Sequence, residues 1–361
     1  MKNLLLLVVI LSCSCLASAG WIEQTSNVST TLWSVSAVDD FVAWSCGDNG
    51  VVLRTTNSGV NWVQTSFPSS SVSLYTIEGI DANNCLVAGL DGSDAKVYKT
   101  TDGGASWIVT FTQSGGFIDA IKGYKGFSGY YGLIGDPVGG RWTWFESTDY
   151  GSTWDSTGLY KPAASGEAGW NNSCFASSPT SWLWAGTNST KLIQVFTNGT
   201  SADLPTTGVS NTYAVWANDN SRLMTGGDAG LLYSTDGGAS FVSAGAIGSG
   251  DISAIVGGNT STWYYSRGSS IYLSTNDGTN WASDYTAGAG VYYHMSLSPR
   301  GRYIWAVRDN GGISRNNLDF PLPVELASFT AGASGRDVSL SWTTVSEIER
   351  AEVNEVSPLL Y

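Results

Sequence analysis

Carboxylates recur at one position of a repeating pattern, each beside a glycine-rich turn. The residues at this position are Asp48, Asp91, Asp136, Asp228 and Asp309, with Arg267 in one further copy. Paired carboxylates are the groups with which most glycosidases cleave their substrates, and a ring of them also suits a cation, a cationic group or a sugar. Asp-x-Gly is equally good turn chemistry, because the short side chain accepts hydrogen bonds from nearby backbone N–H groups. A ligand site and a set of structural turns are therefore both open interpretations.

A second candidate site lies in Gly158–Trp170 (GLYKPAASGEAGW), predicted to be the longest connection between strands. Tyr160 and Trp170 could stack on a sugar, and Lys161 and Glu167 could hydrogen-bond to it. Long loops on a rigid scaffold often carry function. A surface insertion without a function is the alternative.

Metal and nucleophile chemistry have little support. The one histidine, His294, follows two tyrosines on a predicted inner strand, and we expect it to pack rather than to catalyse. After the N-terminal leader, the cysteines are Cys46, Cys85 and Cys174, an odd number without a Cys-x-x-Cys pair. The sequence therefore predicts no catalytic residue, no metal site, no cofactor and no disulfide framework.

An eight-residue pattern, Ser/Thr-x-Asp/Asn-x-Gly-x-Ser/Thr/Asn-aromatic, must position these candidates. We call it the box, and its five copies begin at residues 55, 100, 147, 234 and 274. The third, fifth and eighth residues of the copies are Asn57, Gly59 and Trp62; Asp102, Gly104 and Trp107; Asp149, Gly151 and Trp154; Asp236, Gly238 and Phe241; and Asn276, Gly278 and Trp281. The third residue can accept backbone N–H bonds, the glycine supplies a positive φ, and the aromatic residue buries apolar area. We predict a structural turn between two strands.

The spacing of the boxes gives the number of repeats. Intervals of 40 to 47 residues separate the boxes, except for one of 87 that holds a degenerate copy at Phe196–Thr200. A second degenerate copy is predicted at Ser314–Phe320, which makes seven repeats. Period-two apolar runs between glycine-rich turns predict strands, and repeats of this length predict a seven-bladed, all-β propeller. Gly20–Ser26 duplicates the fourth-strand segment Asn61–Ser66, so we predict that it forms the outer strand of blade seven and closes the ring.

The box resembles, residue for residue, the Asp-box or BNR repeat of bacterial sialidases, certain endoglucanases, sortilin-like receptors and photosystem II assembly factors. The resemblance implies a propeller whose boxes are structural and lie away from the ligand face. Residues 20–320 are most similar to photosystem II assembly factor-like propellers, in the box at Val52–Trp62 and the first strand at Trp33–Asp39. The arginine-rich patch of the photosynthetic members has no counterpart here. The Arg-Ile-Pro signature of sialidases is also absent.

The two ends of the chain differ from the repeats. Residues 1–19 combine a basic start, an apolar run and an Ala-x-Ala site, which predicts a secretory signal peptide with cleavage before Gly20. Residues 321–361 resemble the segment that precedes a type IX secretion sorting domain in secreted Bacteroidetes-type proteins. These 41 residues are too few for an immunoglobulin- or fibronectin-like sandwich of about 100 residues, so we expect an incomplete sandwich-like tail.

Composition limits the partners. A net charge of −13 opposes binding to nucleic acid or to anionic lipid, and no later stretch is apolar enough to span a membrane. We therefore expect a secreted, monomeric, non-catalytic propeller that binds a protein or a polysaccharide at or outside the cell surface. The alternative is a sialidase-like or endoglucanase-like glycoside hydrolase or lyase that uses carboxylates at the channel mouth.

Overall fold

The computed structural model describes residues 20–317, apart from 125–126, 157–158, 179–181, 197–199, 229 and 259–260, and the backbone of two strands between 326 and 344. The predicted signal peptide and most of the predicted tail lie outside the described residues. Contacts divide the chain into two units, Met1–Leu318 and Asp319–Tyr361.

The first unit is built from seven four-stranded antiparallel sheets. Strand β1 is Gly20–Gln24. Blade one contains β2 (Leu32–Ala37), β3 (Ala43–Gly47), a 3-10 helix (Asp48–Gly50), β4 (Val52–Thr55) and β5 (Val63–Gln64). Blade two contains β6 (Ser73–Gly79), β7 (Cys85–Asp91), β8 (Asp94–Thr100) and β9 (Ile108–Ser114). Blade three contains β10 (Ile118–Gly123), β11 (Tyr131–Gly135), β12 (Arg141–Ser147) and β13 (Tyr160–Pro162).

The remaining blades repeat this order. Blade four contains β14 (Gly169–Ser178), β15 (Trp182–Thr187), β16 (Lys191–Val195) and β17 (Ser201–Pro205). Blade five contains β18 (Ala214–Ala217), β19 (Leu223–Gly226), β20 (Leu231–Ser234) and β21 (Val242–Ser243). Blade six contains β22 (Ile252–Gly257), β23 (Trp263–Arg267), β24 (Ser270–Ser274) and β25 (Ala282–Thr286). Blade seven contains β26 (Tyr292–Leu297), β27 (Tyr303–Arg308) and β28 (Ile313–Asn317).

The blades form a closed ring. The first strand of each blade contacts the first strands of both neighbouring blades, including β26 of blade seven against β2 of blade one. Strand β1 pairs antiparallel with β28, from Gly20 opposite Asn317 to Gln24 opposite Ile313, and becomes the fourth strand of blade seven. The seven-bladed all-β fold and its closure by the N-terminal strand are thus confirmed.

The core lies between neighbouring blades rather than at one centre. Seven clusters of buried side chains occupy the seven interfaces between blades. Second strands contribute the fully buried tryptophans Trp44, Trp184, Trp263 and Trp305. Because a tryptophan removes roughly 150–250 Å² from water, these rings supply much of the apolar burial that fixes the blade spacing.

The five boxes have one geometry. In the first, the Thr55 hydroxyl donates to Asn57 Oδ1 (3.0 Å) and accepts from Gly59 N–H (2.8 Å). Asn57 Oδ1 also accepts from Asn61 N–H at 2.9 Å. The other copies repeat these contacts at 2.8–2.9 Å. The fourth residue of each copy is left-handed as well as the glycine, which the pattern alone did not predict. These residues are Ser58, Gly103, Tyr150, Gly237 and Asp277, with φ of 58–75°.

The degenerate copy predicted in blade seven is not a box in the same register. In blade six the box serine Ser274 pairs with Trp263, the first residue of the second strand. The same pairing in blade seven joins Tyr303 to Asn317, so Ser314 lies three residues too early, inside β28. The predicted copy at Ser314–Phe320 is therefore wrong in register, and its last residues lie outside the described part.

Blade four carries the other predicted degenerate copy, at Phe196–Thr200. Phe196 N–H donates to Thr200 O at 2.9 Å, between the end of β16 and the start of β17. Residues 197–199 of the copy predicted there lie outside the described residues.

The second unit contains two described strands. β29 (Leu326–Ser334) pairs antiparallel with β30 (Asp337–Thr344). The remainder of the predicted sandwich-like tail lies outside the described residues.

Candidate functional site

The antiparallel order gives the ring two distinct faces. One face carries the connections between the first and second strands and the boxes between the third and fourth; we call it the box face. The opposite face carries the connections between the second and third strands and those that lead from one blade to the next. We call it the collar face, after the aromatic side chains described below.

The recurring carboxylates all lie on the collar face, where they accept hydrogen bonds. Asp48 Oδ1 accepts from Trp33 Nε1–H (2.8 Å), and Asp136 Oδ1 accepts from Gly169 N–H (2.7 Å). Asp91 pairs with Lys96 Nζ at 2.7 Å. These contacts are those of turn-stabilising carboxylates.

The last two carboxylates hold the connections that lead into their own blades. Asp228 Oδ1 accepts from the N–H groups of Ser210 (3.0 Å) and Asn211 (3.3 Å). Asp309 Oδ1 accepts from Val291 N–H at 3.0 Å. The side chains are thereby fixed in place at the face.

Arg267 has the opposite role in blade six. Its guanidinium donates to the carbonyl oxygens of Ile247 (3.1 Å), Gly248 (3.1 Å) and Gly250 (2.5 Å). Arg267 therefore stabilises the connection between blades five and six by donating hydrogen bonds. The aspartates at this position in other blades accept hydrogen bonds instead.

The predicted loop Gly158–Trp170 is shorter than expected. Tyr160–Pro162 is strand β13 and pairs with Arg141–Thr143 of β12, while β14 begins at Gly169. Asp155 also forms an antiparallel bridge with Glu146 of β12, ahead of β13. The connection on the collar face is residues 163–168 only.

Hydrogen bonds and an ion pair hold the Glu167 side chain of this connection in place. Its Oε2 accepts from Trp142 Nε1–H (2.8 Å) and Ala164 N–H (3.0 Å), and its Oε1 pairs with Lys191. Lys191 and Lys161 both contact Asp203, at 3.2 and 3.0 Å. This network joins blades three and four, and it holds Glu167 in the connection.

Aromatic side chains surround the channel mouth on the collar face. They lie within two residues of the point where a first strand begins, and each is half-buried. We define the aromatic collar as Trp33, Tyr75, Phe117, Trp170, Tyr213 and Tyr293. Sequence reasoning singled out only Trp170 as a site candidate, although an aromatic residue recurs at this point in six repeats.

The collar rings touch across blade boundaries. Trp33 lies 4.4 Å from Tyr293 and 5.8 Å from Tyr75 between ring centroids, and Tyr75 lies 4.9 Å from Phe117. Four rings therefore form an arc over blades seven, one, two and three. Trp170 and Tyr213 make a separate T-shaped pair at 4.5 Å across blades four and five.

A buried carboxylate that sequence reasoning missed lies at the same end of β10. Asp119 is 4% exposed, and its Oδ2 has no hydrogen-bond partner among the described residues. Burial, together with the nearby Asp136 carboxylate, raises the pKa of Asp119 well above its ordinary value. Gly169 separates the two groups, since a Cβ there would stand 2.0 Å from Asp119 Oδ2. A bulge in β10 places Asp119 here, and no pattern in the sequence predicts that bulge.

Asn172 crosses the channel below the collar. Its Nδ2 donates to Trp33 O and Tyr75 O at 3.1 Å, and its Oδ1 accepts from the Ser34 hydroxyl at 2.9 Å. Asn172 has a left-handed backbone conformation at this position, with φ 62°, which is uncommon for a residue other than glycine. It links blade four to blades one and two.

A cavity of about 450 Å³ occupies the channel on the box-face side. All seven first strands line it, through Ser36, Glu78, Lys122, Cys174, Ala214, Ser253 and His294 among others. No residue of the recurring carboxylate set, nor Arg267, Tyr160, Glu167 or Trp170, lines this cavity. The expected candidates and the cavity are therefore on opposite sides of the ring.

Three titratable groups face one another in the cavity. Glu78 Oε1 accepts from Gly123 N–H at 2.9 Å, and burial raises its pKa, although Lys122 opposes that change. His294 Nδ1 accepts from Val35 N–H at 3.2 Å, which places the proton of a neutral ring on Nε2. Burial, and then the charge of Lys122, keep the pKa of His294 well below its usual value. The histidine is therefore a neutral donor toward the cavity.

Within the described part, other reactive groups are inert. Cys46, Cys85 and Cys174 are free and buried, and burial raises the pKa of each thiol. The described residues include no cluster of three or more side chains suited to a metal ion. Across the same residues, no helix has the length and hydropathy needed to cross a membrane.

The described residues define a seven-bladed β-propeller with an aromatic, carboxylate-bearing face. No family model matches the sequence, and no curated protein matches it. Solved structures do resemble it. YCF48 from Cyanidioschyzon merolae is 13% identical, with a TM-score of 0.67 over 83% of this chain and 99% of that chain. YCF48 bound to a D1 peptide is 16% identical, with a TM-score of 0.66 over 83% and 97%.

A glycoside hydrolase propeller is also similar. The GH74 xyloglucanase from Xanthomonas campestris is 14% identical, with a TM-score of 0.61 over 90% of this chain and 59% of that one. At such identities the likeness establishes the fold and not an activity. The resemblance to photosystem II assembly factor propellers is thus confirmed for the fold.

Proposed function

We propose that the protein is a secreted, monomeric, non-catalytic propeller that binds a protein or a glycan through its collar face, at or outside the cell surface. The aromatic collar is the observation that carries this proposal. Half-buried rings at a channel mouth offer apolar area that is already ordered, so a partner that covers them loses little conformational entropy.

The state of the recurring carboxylates supports binding over catalysis. Asp48, Asp136 and Asp309 each accept a hydrogen bond from a fixed N–H group of the same face. A general acid or a nucleophile must instead be directed at the substrate. These carboxylates shape the face and give it charge.

The similar structures favour a protein ligand. One of the YCF48 structures contains a bound D1 peptide, so a propeller of this size and blade number can hold a polypeptide. We carry over to this chain only the mode of action, recognition of a protein segment, since the fold alone is shared.

A glycoside hydrolase is the second candidate, and Asp119 with Asp136 favours it. Burial raises the pKa of both carboxyl groups, and both lie against Gly169, the residue before Trp170. A carboxylic acid that stays protonated beside a second carboxylate is the arrangement that glycosidases use. The GH74 fold likeness is consistent with this candidate.

One experiment separates the two candidates. The purified full chain is screened on a glycan and polysaccharide array, with binding and product release recorded together, and against envelope proteins of the producing cell. Wild type is compared with Trp33→Ala, Asp136→Asn and Asp102→Asn, the last being a box-face control. Binding without product release that is lost only in Trp33→Ala supports the main proposal. Product release that is lost in Asp136→Asn supports the hydrolase, and binding that survives Trp33→Ala contradicts the collar as the site.

A further inference from the structure

We propose that the aromatic collar binds a cationic segment of a partner protein, with a lysine or arginine side chain over its rings. This inference rests on the proposed function, and it names the chemistry of the ligand. The carboxylates that surround the rings favour such a ligand.

The rings in the arc of the collar are fixed in position and partly exposed. Trp33 is fixed because its indole N–H donates to Asp48 Oδ1 at 2.8 Å, and Tyr293 packs against it at 4.4 Å. Neither ring is fully covered. A cation within about 6 Å of such a ring is attracted by the negative face of its π-system.

Carboxylates add their field to the rings on both sides of the mouth. The pKa of Tyr293 is raised by burial and then by Asp309 and Asp48. On the other side, the pKa of Tyr213 is raised by burial and then by Asp251 and Asp228. Burial is the larger cause of each shift in pKa, and the carboxylates that add to it lie close enough to the two rings to act on a bound cation.

The cations described on this face are already engaged. Lys96 pairs with Asp91, Lys191 with Glu167, and Arg308 with Glu23. Arg267 donates to three backbone carbonyls, as described above, and Arg141 lies over the ring of Tyr160 at 5.1 Å. The collar therefore lacks a described cation of its own, and the whole chain has a net charge of −13.

Charge complementarity selects a protein segment over a neutral glycan. A neutral sugar could stack on the rings and donate its hydroxyls to the carboxylates, but it would gain no attraction between opposite charges. A lysine or arginine gains from both, and electrostatic attraction also accelerates encounter. The same chain already uses this contact, since Arg54 lies 5.5 Å from the Trp44 ring and Arg315 lies 4.6 Å from the Tyr303 ring.

The test uses the full chain and two synthetic probes, an arginine–glycine repeat peptide and a glutamate–glycine repeat peptide of equal length. Binding is followed by tryptophan fluorescence and calorimetry at low ionic strength and again at about 1 M salt, where charges are screened beyond roughly 3 Å. We expect the arginine peptide to bind, to weaken in high salt and to outcompete the glutamate peptide.

Charge-matched variants locate the site. Asp48→Asn with Asp309→Asn removes two charges from the collar face. Asp102→Asn with Asp236→Asn removes two charges from the box face, at positions where other boxes have asparagine. We expect the first pair to weaken binding by about tenfold at low salt, and the second to change it by less than about twofold. Trp33→Leu, with its fold verified by circular dichroism, should weaken binding by a similar factor.

The outcomes distinguish this inference from the proposed function. Equal binding of both peptides, or equal weakening by both pairs of variants, overturns the cationic ligand. A neutral glycan that binds in a Trp33-dependent way, while the arginine peptide does not bind, overturns the inference but leaves the proposed function standing. Ligand binding that no collar variant affects contradicts both.

Discussion

At the residue scale, the third and seventh residues of each box change together. Where the third residue is aspartate, its Oδ2 accepts a hydroxyl from the seventh residue, Ser106, Thr153 or Ser240, at 2.5–2.7 Å. Where it is asparagine, the seventh residue is also asparagine, Asn61 or Asn280. The backbone contacts through Oδ1 are the same in both kinds, because only one oxygen is needed for the turn.

The box glycine tolerates no side chain. Gly104 has φ 88°, and a Cβ there would stand 2.5 Å from the Thr65 side chain, so Gly104→Ala combines backbone strain with overpacking. We expect a loss of about 2–4 kcal/mol in the free energy of unfolding, measured by denaturant titration. Gly115→Ala is the control, because Gly115 has φ 65° and nothing within 4 Å of the new Cβ. It should lose about 1 kcal/mol, and equal losses in the two variants would contradict the overpacking.

His294 should make stability depend on pH. Its folded pKa lies well below the ordinary value of 6.5, so the unfolded chain takes up a proton that the folded chain refuses. The free energy of unfolding should therefore fall as the pH drops below about 6.5, with a limiting slope of about 1.4 kcal/mol per pH unit.

The matched variant isolates the histidine from the carboxyl groups. The raised pKa values of Glu78 and Asp119 act with the opposite sign, because their folded forms keep a proton that the unfolded chain releases above about pH 4. We therefore compare wild type with His294→Gln by denaturant titration at pH 7.5 and at pH 5.5. The variant should lose less stability than wild type over that interval. Parallel losses would show that His294 is not the group responsible.

At the element scale, the fourth strand of blade seven comes from the start of the chain. Glu23 of β1 accepts from the Ser314 hydroxyl at 2.6 Å and pairs with Arg308. Trp21 Nε1–H reaches Asp284 of blade six at 2.7 Å, and Gln24 accepts from Trp62 Nε1–H of blade one at 2.8 Å. One short strand thus connects three blades.

Removal of β1 should be costly. A chain that lacks residues 20–27 leaves the edge of β28 unpaired and loses the contacts of Trp21 and Glu23. We expect the melting temperature to fall sharply in a thermal scan. A synthetic peptide of residues 20–27 added to this variant should restore part of the loss, and an unchanged melt would contradict closure by this strand.

The sequence predicts those structural elements that depend on the spacing of the repeats or on the chemistry of a single turn. Repeat number, ring closure and the five box turns follow from spacing and turn chemistry in the sequence. The position of β13 inside the predicted loop and the register of β28 do not, because strand pairing across a blade decides both. The collar falls between these cases. Its aromatic residues are visible in the sequence, but bulges in the first strands decide that they meet at one mouth.

At the scale of the whole molecule, both faces carry carboxylates, but the surroundings of these carboxylates differ. On the collar face they lie around aromatic rings, whereas the box face carries the box aspartates Asp102, Asp149 and Asp236, and the cavity on that side holds Glu78, Lys122 and a neutral His294. The net charge predicts that the protein does not bind nucleic acid or anionic lipid. It could not predict where a ligand binds, because that depends on which carboxylates meet across blades.

Export is a prediction that stays open to a direct test. The leader at residues 1–19 should be removed, so that the exported protein begins at Gly20, the first residue of β1. Expression of the full chain in a bacterium, followed by N-terminal sequencing of the protein recovered outside the cytoplasm, checks this. A chain that stays inside with Met1 intact would contradict secretion.

The pairing of β1 with β28 also sets the order of events in biogenesis. The strand that completes the ring is the first to leave the ribosome, and its partner near residue 317 is among the last parts of the propeller to follow. It must therefore wait, unpaired, through the synthesis of six blades. A neighbouring chain whose β28 is complete but still unpaired offers an identical edge, so two newly made molecules can exchange their first strands.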